Sequence, residues 1–82
     1  MHYVYLLRSE TRPEQTYVGY TRDLRRRLPF HNAGLVPHTS KFIPWRLETH
    51  LAFSDKHQAL AFERYLKSHS GKAFAVKRLW PK

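Results

Sequence analysis

Two runs of β-prone residues near the start set the frame for the chain: Tyr3-Val4-Tyr5-Leu6-Leu7, then Thr16-Tyr17-Val18-Gly19-Tyr20. Bulky aromatic and apolar residues in stretches this short read as strands, and the polar segment between them, with Pro13, reads as a connection. Two strands joined by a polar loop predict an antiparallel hairpin, although no two-residue turn signature fixes its register. Gly19 interrupts the second run. It predicts either a bulge or bend, with pairing irregular beyond it, or a spot where a phosphate or another backbone comes close.

The remainder builds onto that hairpin. Thr21 is placed to cap a helix with Asp23 in its first turn and Leu24 and Leu28 as its apolar stripe. Pro29 removes the bond to Arg25 and predicts a kink, or an end near Leu28. Asn32-Ala33-Gly34 closes the element, and Leu35 to Pro44 reads as a loop. From Trp45 to Phe53 the pattern alternates, with Trp45, Leu47, Thr49, Leu51 and Phe53 on one side, as in a half-buried strand. Ser54 or Asp55 then caps a helix whose apolar side holds Ala59, Phe62 and Leu66. A break over Ser68–Gly71 leads to a shorter helix with Ala73, Val76 and Trp80 on one side. The expectation is a single α+β domain over residues 1–82: a three-stranded antiparallel sheet flanked by helices, in the order β-β-α-β-α-α.

Composition narrows the function. A chain of 82 residues buries only about three fifths of the surface its unfolded form exposes. There is no cysteine, which removes disulfides and thiolate chemistry and suits a reducing compartment. No apolar run approaches the roughly 18 residues of a membrane span, and the first residues lack the features of a signal peptide. A cytoplasmic protein is expected, without a membrane partner. Lys and Arg number 15 against 6 acids, a formal charge of +9, and such a field calls for an anionic partner, DNA before all others. Arg22, Arg25, Arg26 and Arg27 cluster within a periodic apolar pattern, so the charge belongs to a folded face rather than a tail.

A few residues can carry chemistry. Glu63 lies on the apolar side of its helix, where a carboxylate is costly unless paired or bound to a metal. It either pairs with an arginine such as Arg27 or serves as a hard-metal ligand in an oxygen-only, water-rich Mg²⁺ (or Mn²⁺) site. Arg27 and His31 share a face if the helix continues, one suited to phosphate and the other to proton transfer. Tyr5 and Tyr17 are near neighbours in the hairpin. Beside Arg27 and a metal, a phenol would lose its proton more readily than usual. Arg22, Arg25 and Arg26, the loop residues His38, Thr39, Ser40 and Lys41, the later Lys67 and Lys72, and the bare backbone at Gly19 are the expected nucleic-acid contacts.

These residues, in this order, resemble the GIY-YIG nucleases. Tyr3-Val4-Tyr5 and Tyr17-Val18-Gly19 stand as the paired triplets, followed by Thr21, Asp23-Leu24, Arg27, His31 and a helical Glu63. The likeness covers nearly the whole chain and is greatest to short bacterial members related to the N-terminal nuclease domain of the excision-repair incision subunit. It implies hydrolysis of a DNA phosphodiester with one divalent metal held by Glu63. Tyr17 would activate water, directly or with His31, Arg27 would stabilise charge on the phosphate, and Tyr5 would position water or phosphate. Two departures stand out. The first triplet begins with Tyr3 instead of glycine, and no asparagine follows Asn32, leaving His69 or Ser70 for the role of a late asparagine. The reading is therefore a metal-dependent DNA endonuclease. Its alternatives are a non-catalytic nucleic-acid-binding module and a subunit of a DNA repair complex, with a protein partner or homodimer left open.

Overall fold

A computed structural model describes residues 1–81. In chain order it holds β1 (His2–Ser9), β2 (Thr16–Thr21), α1 (Leu24–Asn32), a 3-10 turn (Ser40–Phe42), β3 (Trp45–Phe53), α2 (Lys56–Leu66) and α3 (His69–Arg78). The three strands form one antiparallel sheet in the order β2-β1-β3, with helices packed on it, so the expected class and element order are those found.

Because β1 lies in the middle, both of its faces are covered. Val4, Tyr5, Leu6 and Leu7 are all at most 1% exposed. Val4 and Leu6 point to one side, where Ala59 and Leu66 of α2 and Ala75 of α3 close over them. Tyr5 and Leu7 point to the other, against Trp45, Leu24, Leu28 and Leu47. The sheet thus separates two cores, one roofed by α2 and α3 and the other by α1.

Several local expectations are corrected. Pairing of β1 with β2 is regular through Gly19, which sits opposite Tyr5, so there is no bulge there and Tyr20 faces away from Tyr17. The irregularity lies in β3 instead: Leu7 pairs with Leu47 but Leu6 with Thr49, so Glu48 is skipped. That extra residue reverses the alternation. Trp45 and Leu47 join the Tyr5 core, while Leu51 and Phe53 join the Val4 core. Asp23, not Thr21, caps α1, its carboxylate accepting the Arg26 N–H at 3.3 Å, while the Thr21 hydroxyl accepts the Asp23 N–H. Pro29 does not end α1, which continues to Asn32. In α3 the buried positions are Gly71 and Ala75, with Val76 62% exposed, so the expected stripe is displaced. Close approach explains the shift: a Cβ at Gly71 would collide with the Tyr65 carbonyl. Among the described residues no helix is long and apolar enough to cross a membrane.

Candidate active site

The α1-side core carries polar groups that the other core lacks. Strand pairing puts Tyr5 beside Gly19 and Leu7 beside Tyr17, so the Tyr5 and Tyr17 rings lie on one face with centroids 6.2 Å apart. The lack of a side chain at Gly19 is what allows this. A Cβ there would clash with the Tyr5 hydroxyl and lie 2.9 Å from Tyr17 Cε2. Of the two expectations for Gly19, close approach is the one realised, and the approaching group is a tyrosine of the same sheet.

Helix α1 then delivers two side chains to that hydroxyl. Arg27 Nε donates to Tyr5 Oη at 3.1 Å, and His31 Nε2 lies 2.9 Å from the same oxygen. One turn of helix separates them, so both reach a single acceptor. His31 is fully buried, and its other nitrogen, Nδ1, is 2.9 Å from Thr39 Oγ1. The Thr39 hydroxyl in turn donates to the Val36 carbonyl at 3.3 Å.

With a neutral imidazole, one arrangement of protons satisfies all of these bonds at once. With its hydrogen given to Val36, Thr39 Oγ1 accepts from His31 Nδ1–H. His31 Nε2 is then an unprotonated acceptor and takes the Tyr5 O–H, leaving the Tyr5 oxygen to accept from Arg27. The imidazole is neutral in this arrangement. Its pKa agrees, lowered to about 4 by burial first and by the Arg27 charge second. Burial also raises the Tyr5 pKa, outweighing the opposing hydrogen bond and charge of Arg27. For Tyr5 the expected drop is thus reversed, and it stays a phenol at neutral pH. Desolvation of a phenolate in a closed core costs more than one neighbouring guanidinium returns.

The loop behind His31 is pinned from β3. Trp45 Nε1 donates to the Thr39 carbonyl at 2.9 Å, and Asn32 exchanges two hydrogen bonds with the Trp45 backbone, at 2.6 and 3.0 Å. Sequence reasoning missed Asn32 and Trp45 as supports. It placed Thr39 among the DNA contacts, whereas the structure buries it completely with its hydroxyl engaged by His31 and Val36. A signal existed in Asn32, a side-chain hydrogen-bonding residue directly after His31 at the end of α1.

Tyr17 differs from Tyr5. It is half-buried, its ring packs edge-on against His31 at 5.0 Å, and its hydroxyl makes no hydrogen bond to the described residues. Lys67 Nζ lies 6.0 Å from the Tyr17 ring centre and 3.0 Å from Glu63 Oε2. Glu63 thus pairs with Lys67, not with Arg27, and it is near enough to act electrostatically on Tyr5. Tyr5, Tyr17, Arg27 and His31 come together, and Glu63 is linked to them through Lys67, which bonds its carboxylate and lies 6.0 Å from the Tyr17 ring. Of the expected contacts, Arg22, Arg25, Arg26, His38, Lys41, Lys67 and Lys72 are exposed, and Ser40 is partly so, its hydroxyl bonded to the Pro37 carbonyl. Gly19 is buried.

Among the described residues no group of three or more His, Asp or Glu side chains converges as a metal cage. Glu63 is the acid at the site, with its side chain 20% exposed. A single reachable carboxylate fits a hard cation that keeps most of its waters and takes further oxygens from a phosphate. It does not fit a metal enclosed by protein ligands.

Residues 1–77 match the family model described as the GIY-YIG catalytic domain. A UPF0213 protein of Streptococcus pneumoniae is 37% identical over 67 residues, which are 80% of this chain and 68% of that protein. For a UPF0213 protein of Lacticaseibacillus paracasei the identity is 44% over 52 residues, and the match spans 58% of that protein's length. The structure-specific endonuclease subunit SLX1 of Malassezia globosa is 41% identical over 78 residues, 88% of this chain but 17% of that much longer protein. Among solved structures, the solution NMR structure of a UPF0213 protein from Bacillus halodurans superposes with a TM-score of 0.58 at 33% identity, covering 96% of this chain and 85% of that one.

Proposed function

The chain belongs to the GIY-YIG family, and from that premise we propose that it hydrolyses DNA phosphodiester bonds with one divalent metal, Mg²⁺ or Mn²⁺, held by Glu63. The observation that carries this reading is the Tyr5 hydroxyl, shared by Arg27 and His31 beside the open hydroxyl of Tyr17. Such a cluster has one group able to accept a proton at the surface and a cation fixed next to it.

Tyr17, once its own proton has passed to solvent, is the group that takes the proton from the attacking water, because it is half-exposed and its hydroxyl makes no hydrogen bond to the described residues. His31 is walled in with both nitrogens engaged, so it acts through Tyr5. It holds the phenol proton inward and keeps the phenol oxygen turned to Arg27. Arg27 uses Nε for Tyr5, and among the described residues no hydrogen bond engages its two terminal nitrogens, which leaves a fork for a phosphate oxygen. That fork places positive charge where negative charge grows during in-line attack. A divalent ion at Glu63, when bound, supplies further stabilisation of charge on the phosphate oxygens. Lys67 then has to leave Glu63, and the +9 surface holds the rest of the strand. With no cysteine to oxidise, the chain suits the cytoplasm, where we place its action.

The test is cleavage of plain, flapped and branched DNA in Mg²⁺ by the wild type and by Glu63→Gln. The expected result is cutting by the wild type alone, with DNA binding retained in both. Binding without cutting in both proteins would instead identify a non-catalytic module.

A further inference from the structure

We propose that the groove between the free edge of β2 and helices α2 and α3 holds one unpaired nucleobase of the strand whose phosphate lies at Tyr17. This rests on the nucleic-acid reading above and adds to it a preference for single-stranded character beside the site.

The groove, about 490 Å³ in volume, is walled by Tyr17 and Val18 of β2, by Lys67 and Lys72, and by Val76 and Trp80. That is the size of a small-ligand site, roughly 300–1,000 Å³. It continues past Val76 and Trp80 into a second hollow of about 390 Å³ bordered by Arg8. No acidic residue lines either hollow.

Four observations select the occupant. Tyr17 is a wall of both the candidate active site and the groove, so whatever fills the groove is adjacent to the reacting phosphate. Val76 is 62% exposed although apolar, and with the indole of Trp80 it offers flat, non-polar surface in an otherwise cationic setting. Lys67, Lys72 and Arg8 ring that surface, Arg8 lying 5.0 Å from the Trp80 ring. Lastly, β2 is an edge strand. Continued from the Ser9 N–H to Gln15 carbonyl bond, the antiparallel alternation turns the backbone N–H and C=O of Thr16 and Val18 outward.

An apolar floor with an aromatic wall, peptide groups along one side and cations at the rim matches one nucleotide of a single strand. The base lies on the floor, its edge meets the strand backbone, and the flanking phosphates meet the lysines. A paired base in a duplex has no free face to offer. A neutral or basic peptide strand added to β2 would gain nothing from the surrounding positive charge.

The full chain is titrated in EDTA, where no metal-dependent cleavage occurs, with a labelled oligothymidylate and with a duplex of equal phosphate number. Trp45 is buried at 3% exposure, so a change in tryptophan emission reports Trp80. The single strand is expected to quench that emission. Trp80→Leu is expected to weaken single-strand binding about tenfold, and duplex binding less than twofold. Because Trp80 also packs on the core, a second pair of variants on exposed positions of α3 keeps the test independent of folding. Val76→Glu should weaken single-strand binding about tenfold, and Ala73→Glu, the same charge change outside the groove, about twofold or less. Equal losses for the two glutamate variants, or equal losses for single strand and duplex, would overturn the assignment. Since nothing is cleaved, either result leaves the hydrolysis reading to be decided by the Glu63→Gln comparison.

Discussion

The two faces of the same three-stranded sheet are built on different terms. Beneath α2 and α3 the buried residues are Val4, Leu6, Ala59, Leu66 and Ala75, all apolar. Beneath α1 the corresponding space holds Tyr5, His31 and Thr39, fully buried or nearly so, each with its polar atoms satisfied. Since β1 alternates, adjacent residues serve different ends: Leu6 stabilises the fold and Tyr5 organises the site. The lesson is that a chain this small confines its buried polar architecture to one of its two cores, where Tyr5 and His31 sit beside the apolar Leu7, Trp45, Leu24 and Leu28. Among the described residues the other core holds no buried polar side chain.

The sharpest way to break that contrast is to truncate on the apolar face. Leu6→Ala is expected to cost about 2–5 kcal/mol in urea denaturation, with cleavage per folded molecule unchanged. On the other face, Arg27→Ala is expected to slow cleavage by about 100- to 1,000-fold. Its thermal midpoint should move only a few degrees, because one hydrogen bond to Tyr5 is worth about 1 kcal/mol. If Leu6→Ala abolished activity at full folding, or Arg27→Ala unfolded the protein, the division between faces would fail.

Acidification probes the polar face through His31. Folded His31 stays neutral down to about pH 4, whereas its ordinary value in the unfolded chain is 6.5. Between these values the unfolded state binds more protons, so stability from this group is complete above pH 6.5 and declines as the pH falls toward 4. The loss is on the order of 2–3 kcal/mol. The difference between wild type and His31→Gln, measured by denaturation across that range, should show this slope in the wild type only.

Much of this arrangement is legible in the sequence. The strands, the Leu24/Leu28 and Ala59/Phe62/Leu66 stripes, and the convergence of Tyr5, Tyr17, Arg27 and His31 follow from periodicity and from an ordered set of residues. What is not legible depends on partners remote in the chain. The skip at Glu48 exists only relative to β1, so alternation within β3 misassigns the faces of Leu47 and Leu51. α3 approaches α2 through Gly71 and Ala75, small residues that a search for bulky apolar spacing passes over. Thr39 looks like a surface donor because the indole and Asn32 that fold its loop inward come from β3 and the end of α1.

The smallest of the expected effects concerns that loop. Thr39→Val leaves the buried His31 Nδ1–H without an acceptor, or drives the proton to Nε2 and deprives Tyr5 of its own. Either outcome costs about 1–3 kcal/mol. Nitrogen-15 spectra of the His31 ring should show Nδ1 protonated in the wild type and a changed pattern in the variant, while Thr39→Ser keeps the wild-type pattern.

The most direct test of the account is a single-atom change at Tyr17, because its free hydroxyl is the group assigned to the reacting water. Single-turnover cleavage of DNA in saturating Mg²⁺ by Tyr17→Phe, compared with wild type at matched folding and matched DNA occupancy, is expected to fall by at least about 100-fold. Cleavage at the wild-type rate would contradict it.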